Sequence, residues 1–144
     1  MKISSILFTL IAAVSLSACA AKQAEQINFP ITCKAESDKK YVQISGYLAD
    51  QGVVYCSNTG GRMECSFTLT ESPDSSNALR VEIAQGSGAN SVEKFEGSYK
   101  PADIKIHDNS GDLVKIGDQA KLTGTMNALP DGSLCFLTVD KIEK

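Results

Sequence analysis

From Lys39 onward apolar residues recur at every second position, and this period of two restricts the chain to strands with one buried face. In Tyr41 to Leu48, the side chains of Val42, Ile44 and Leu48 share one face, while Tyr41, Gln43, Ser45 and Tyr47 take the other. Cys65 to Thr70 alternates with its threonines outward, and Leu79 to Ile83 alternates with its charges outward. Ala120 to Met126 repeats the pattern, and the more continuously apolar Leu134 to Val139 is expected as a central strand. β-branched and aromatic residues fit such pleated surfaces better than helices. Turn signals divide the runs: Asn58-Thr59-Gly60-Gly61, Ser72-Pro73-Asp74, Asp108-Asn109-Ser110-Gly111 and Pro130-Asp131-Gly132 supply the positive φ or preset proline geometry that turns need. Asn90 or Ser91 is placed to cap a short helical segment over Val92 to Glu96, stopped by Gly97. The expectation is an all-β, mainly antiparallel fold with one short helical segment.

The N-terminus follows a different rule. After Lys2 comes ISSILFTLIAAVSL, 14 residues without charge, Pro or Gly. A membrane-spanning helix needs about 20 apolar residues, so the run is short for a span. A basic start, an apolar core and small residues at its end read as a secretory signal peptide. A buried helix would need polar residues along one face, and only Ser and Thr are present. Leu16-Ser17-Ala18-Cys19 then resembles the lipobox of bacterial lipoproteins. That resemblance implies removal of residues 1–18, a diacylglycerol on the sulfur of Cys19, and acylation (palmitate) of the new N-terminus. Two or three acyl chains hold a protein stably where one does not. Ala20, where an Asp would favour inner-membrane retention, implies an outer-membrane address, with the domain facing the periplasm. Residues 19–31 then form a lipidated tether, largely polar, and residues 32–144 the domain.

With Cys19 carrying lipid, Cys33, Cys56, Cys65 and Cys135 remain. In an exported protein an even set reads as two disulfides. If Gly60-Gly61 forms a two-residue I′ turn, register sets residue 59 opposite 62, 58 opposite 63, 57 opposite 64 and 56 opposite 65. Cys56 and Cys65 then form a non-hydrogen-bonded pair with Cα atoms about 4.5 Å apart, at the short end of disulfide geometry. Cys56–Cys65 is therefore expected, and Cys33–Cys135 by elimination.

Five main strands, with the helical candidate between the third and fourth, is the order of an OB-fold, a small Greek-key barrel. VQISGYL (Val42–Leu48), LRVEI (Leu79–Ile83), IGDQAKLTG (Ile116–Gly124) and VDKIE (Val139–Glu143) resemble strands of the bacterial periplasmic OB-fold family. The resemblance implies a five-stranded barrel in an envelope protein that binds small ligands or partners and carries no catalytic centre. Two features depart from it: the four cysteines, and the long connection Gly86 to Lys115 with its extra alternating ADIKIH (Ala102–His107).

Catalytic and metal chemistry find little support. His107 is the sole histidine, and no G-x-S-x-G marks a nucleophile for it to activate. HDNSGD (His107–Asp112) fails as an EF-hand loop. With Gly111 at the invariant glycine, Ile106 and Gly117 fall where ligands should be. One histidine leaves too few ligands for zinc. Ser87-Gly88-Ala89-Asn90 lacks the G-K-[ST] of a phosphate loop. No metal, cofactor or enzymatic activity is expected. With Lys2 removed, 13 of the 14 basic residues stand against 17 acidic ones, and no basic run is present. The chain contains no Trp. Nucleic acid is therefore not expected as a partner. OB barrels bind on the outer face around their second and third strands. Tyr41, Gln43, Tyr47, Arg80 and Glu82 could stack on a sugar or hold a peptide there, or simply solvate the exterior. The functional expectation is a non-catalytic module, anchored to the membrane by lipid, for a small ligand or an envelope protein. The alternative is an inhibitor of a lysozyme-like enzyme, although Ser87-Gly88 is a poor match for an inhibitory loop.

Overall fold

The computed structural model describes residues 22–144. Cys19 and the apolar run before it lie outside the described residues. In chain order the strands are β1 (Glu25–Gln26), β2 (Tyr41–Ala49), β3 (Tyr55–Thr59), β4 (Arg62–Thr70), β5 (Ala78–Ala84), β6 (Ser91–Val92), β7 (Ile106–His107), β8 (Leu113–Val114), β9 (Gln119–Ala128) and β10 (Cys135–Glu143). Among the described residues the helical content is two 3₁₀ turns, Ala35–Ser37 and Pro101–Asp103.

Five long strands close a barrel in the order β2-β9-β10-β5-β4 and back to β2. β10 runs parallel to β5, with Phe136 opposite Arg80, and antiparallel to β9 on its other side. Closure comes from Tyr47, Leu48 and Ala49 pairing with Thr70, Leu69 and Thr68. This is the strand order of an OB-like barrel, as the five main alternating runs implied. The inward residues meet as expected: Ile44, Leu48, Leu69, Val81, Ile83, Leu122, Leu137 and Ile142 are fully buried.

Two glycines allow the strands to approach so closely. A Cβ on Gly124 would lie 2.0 Å from the Thr138 carbonyl oxygen, and one on Gly46 would lie 2.5 Å from that of Thr70. Both sit where strands cross at short range, a position that only glycine tolerates.

The hairpin β3–β4 adopts the expected register, with 59 opposite 62 and Cys56 opposite Cys65. Gly60 and Gly61 take φ of 62° and 88°, the positive pair of an I′ turn. Cys56 and Cys65 are bonded, with Cα atoms 4.0 Å apart, and Cys33 is bonded to Cys135, with Cα atoms 5.5 Å apart. Of the tether expected over 19–31, residues 25–31 lie along the barrel. β1 pairs in parallel with Val42 and Gln43, and Ile27, Phe29 and Ile31 pack against the core. Those three alternate along the chain, the same period of two that marks the barrel strands.

The helical segment expected over Val92–Glu96 is corrected: Ser91–Val92 is strand β6. Its supposed caps are engaged elsewhere. Asn90, at φ 56°, accepts the Ile142 N–H on Oδ1 at 2.8 Å. The Ser91 hydroxyl donates to the Gly88 carbonyl at 2.6 Å. Neither side chain is left to cap a first helical turn, and Val92 pairs with Ile106 instead. β6, β7 and β8 form a small sheet whose Val92, Ile106 and Val114 are fully buried and continue the barrel core. In place of a helix, the connection between the third and fourth barrel strands is this sheet.

Candidate binding face

The outer faces of β4, β5 and β10 carry a row of polar and aromatic side chains set by strand register. Thr68 lies opposite Arg80, which lies opposite Phe136; Ser66 lies opposite Glu82, which lies opposite Thr138. The Arg80 guanidinium donates to Glu82 Oε1 at 2.8 Å and to Ser66 Oγ at 3.0 Å, and sits 5.6 Å from the centre of the Phe136 ring. Arg80 is held flat against the sheet by a carboxylate on one side and an aromatic face on the other.

Glu82 differs from its expected setting. Alternation points it outward, yet it is buried, as is Glu64 on the neighbouring strand. The cross-strand packing of long side chains on this face covers both carboxylates. Burial raises the Glu82 carboxyl above its usual range, and Glu64 nearby adds to the rise. Arg80 opposes it. Arg62 binds Glu64 in turn, with Nη2 2.7 Å from Oε1. The result is an Arg–Glu–Glu–Arg cluster in which the guanidinium groups are half-exposed and the carboxylates covered.

Beside it lies a cleft of about 370 Å³, with Ser66, Thr68 and Arg80 as its floor and Asp50, Gln51, Val53 and Tyr55 as its wall. Val53 is 71% exposed and Tyr55 73%. The loop that carries them is pinned where the Val54 N–H donates to the Tyr99 hydroxyl, and Asp50 Oδ1 accepts the Gly52 N–H at 3.0 Å. The disulfide Cys56–Cys65 holds the strand that follows. An exposed aromatic, an exposed aliphatic, two hydroxyls and a guanidinium therefore converge on a braced cleft.

The residues expected at the site divide into two groups. Arg80 and Glu82 belong to this face. Tyr41, Gln43 and Tyr47 lie on β2, and Tyr41 is separated from Glu82 by Thr125 on β9 and Thr138 on β10. At about 4.8 Å per strand that is roughly 14 Å across the sheet. Gln43 donates to Thr123 Oγ1 at 3.0 Å, and the Lys22 ammonium sits 4.7 Å from the centre of the Tyr41 ring. Val53, Tyr55 and Phe136 were missed from sequence. Val53 and Tyr55 lie just before the Asn58–Gly61 turn, outside the alternating runs, and Phe136 reads as part of a continuous apolar run. Alternation along β10 turns it outward, and the pairing of β10 with β5 sets it beside Arg80.

His107 is occupied on both ring nitrogens: Nε2 lies 2.7 Å from Glu93 Oε1 and Nδ1 3.1 Å from the Gly111 carbonyl oxygen. These acceptors raise the His107 pKa above 6.5, Glu93 foremost, while His107 lowers that of Glu93. Asp108, at the head of the loop that superficially resembles a calcium site, accepts the N–H groups of Ser110 and Asp112 on Oδ1 at 2.8 and 2.9 Å. Those bonds make the loop a side-chain-braced turn. Among the described residues there is no group of three or more His, Cys, Asp or Glu placed to hold a metal.

No family model matches the chain, and no curated protein matches it. Among solved structures it is similar to a candidate nucleic acid-binding lipoprotein of Klebsiella pneumoniae subsp. pneumoniae MGH 78578, with a TM-score of 0.44 and 18% identity over 76% of this chain and 75% of that one. That likeness is too distant to assign a ligand. It does correct the exclusion of nucleic acid drawn from charge: a lipoprotein so described stands among the chain's structural likenesses. The exclusion had also rested on an average. Net charge describes the whole surface, whereas a ligand meets one face, and here an arginine and exposed aromatic and aliphatic groups are gathered on that face.

Proposed function

We propose that the chain is a cell-envelope lipoprotein whose barrel is a non-catalytic binding module. The lipid on Cys19 would hold it at the periplasmic face of the outer membrane. The apolar run followed by LSAC, with Ala20 after it, supports the anchor and its address. The cleft beside Tyr55 and Arg80 carries the binding reading. A ligand there would stack on Tyr55, lay an apolar edge on Val53, and meet the Ser66 and Thr68 hydroxyls and the Arg80 guanidinium along the floor. Binding rather than turnover is favoured because these groups supply contacts and orientation. The one imidazole of the chain is engaged with Glu93 and Gly111 in the small sheet.

Two measurements test this. Replacing Cys19→Ser should move the protein from the membrane to the soluble fraction or leave it unprocessed. Normal cleavage with continued membrane partition would refute the anchor. For the cleft, wild type, Tyr55→Ala and Arg80→Ala proteins are compared in retaining peptidoglycan fragments, envelope proteins and single-stranded oligonucleotides. Each substitution should lower retention of one ligand class at least about tenfold. Equal retention by all three proteins would remove the cleft from consideration. Lysozyme activity measured with the protein present decides the inhibitor reading in the same series.

A further inference from the structure

A second cleft, also about 370 Å³, opens between the 3₁₀ turn Pro101–Asp103 and strand β8. Six of its lining residues are apolar: Pro101, Ala102, Ile104, Leu113, Val114 and Ile116. The remaining two are Lys105 and Lys115. Its floor is firm, since Ile104 and Val114 are buried in the core. Its mouth is apolar and open, with Leu113 43% exposed. One rim is braced where the Lys100 N–H donates to Asp103 Oδ2 at 2.7 Å.

The charge of this cleft runs against that of the chain. The protein is net negative, at −3, yet the only charged groups lining the cleft are cationic. Lys105 has a loose carboxylate neighbour, Glu93 Oε2 at 3.8 Å. Of the two acids three residues from Lys115 along the chain, Asp118 is engaged by Lys144 at 2.8 Å and by the Lys115 backbone N–H at 3.0 Å. Among the described residues the Lys115 ammonium has no ion-pair partner. An apolar slot whose charged lining residues are two lysines fits a molecule with an apolar body and one anionic end.

From this geometry we infer that the cleft binds a single-chain carboxylate amphiphile, its hydrocarbon on Leu113, Ile116 and Ala102 and its carboxylate between Lys105 and Lys115. A volume at the low end of the usual range for ligand sites, about 300–1,000 Å³, suits one chain and not a two-chain phospholipid. The site is separate from the Tyr55 cleft and built from the small-sheet segment of the chain.

The test uses the full chain carrying Cys19→Ser, so that its own acyl groups do not compete, with decanoate below its micellar concentration. Amide resonances of Ala102, Leu113 and Lys115 are followed by NMR. Saturable shifts are expected with decanoate and none with decyltrimethylammonium. Lys115→Glu and Leu113→Asp, both at exposed positions, should each weaken decanoate binding at least about tenfold while the melting temperature stays within a few degrees. Tyr55→Ala should leave it unchanged, which separates this site from the other cleft. Equal shifts with the cationic amphiphile, unchanged decanoate binding in Lys115→Glu, or binding only to phosphatidylglycerol vesicles would each overturn the assignment.

Discussion

The barrel and the small sheet of residues 91–114 share one core, with Val92, Ile106 and Val114 buried as deeply as the barrel residues, but different bonds hold them. Each barrel strand lies between two neighbours and is fixed by long runs of backbone pairing, seven consecutive partners between β2 and β9 alone. β6, β7 and β8 are two residues long and share two rungs at each junction. To these rungs and a few loop backbone bonds, such as the Asn109 N–H on the Ile142 carbonyl, side chains add clips: Asn90 on Ile142, Ser91 on Gly88, His107 on Glu93 and Gly111, and Asp108 on its own turn. Backbone ladders are hard to unmake one residue at a time, whereas a side-chain clip can be removed by one substitution or one proton.

The largest effects are therefore expected where the barrel is tied. Removing Cys33–Cys135 by a double serine substitution frees a loop spanning 102 positions, and the chain-entropy account puts the loss near 4–5 kcal/mol. The equivalent loss of Cys56–Cys65, closing 9 positions, should be about 2–3 kcal/mol. Denaturant titration under non-reducing conditions measures both, and a hairpin loss as large as the other would break the ordering. Gly124→Ala sets a Cβ against the Thr138 carbonyl oxygen, at 2.0 Å before relaxation, and should cost at least about 3 kcal/mol as the β9–β10 ladder shifts. Gly88→Ala, in the connecting loop, meets nothing within 4 Å and should stay within about 0.5 kcal/mol of wild type. Similar losses from the two alanines would mean that the barrel is no tighter than its insertion.

The same division explains what could be read from the chain. Barrel strands announce themselves because alternation is a property of each strand alone: Val42, Ile44 and Leu48 point inward whatever lies beside them. The hairpin pairing of Cys56 with Cys65 followed from local turn geometry in the same way. The small sheet was hidden because Asn90 and Ser91 carry the same signal for a helix cap as for a side-chain clip. The partner of Asn90, Ile142, comes from a distant part of the chain, while Ser91 turns back to Gly88, three residues before it. The site was half visible. Arg80 and Glu82 sit on a strand whose outward face is evident, but joining them to Phe136 requires the parallel pairing of β5 with β10. Tyr41 looks equivalent to Tyr55 in composition, and only the strand order, with β9 and β10 between β2 and β5, separates it from the site.

The finest test of the comparison is a proton. His107 links β7 to Glu93 beyond the end of β6, with an acceptor at each ring nitrogen, so the charged imidazolium is the form the fold favours. The groups facing it are Glu93, the Gly111 carbonyl and, opposing, Lys105. A raised histidine pKa contributes stability in full below the unfolded value of about 6.5, and that contribution is lost as pH climbs through the raised folded value. Glu93 is lowered, so its share is present above its unfolded value of about 4.3 and is lost as pH falls through its folded value. The clip is thus strongest between about pH 4.5 and 6.5 and weakens on either side. Hydrogen-exchange protection of the β6–β8 amides, corrected for intrinsic rates, should fall between pH 6 and 9 relative to the β9–β10 amides. His107→Gln should abolish that pH dependence at modest cost to the barrel. Parallel loss of protection in both regions would show that the small sheet and the barrel open as one unit, and the distinction between ladder and clip would fail.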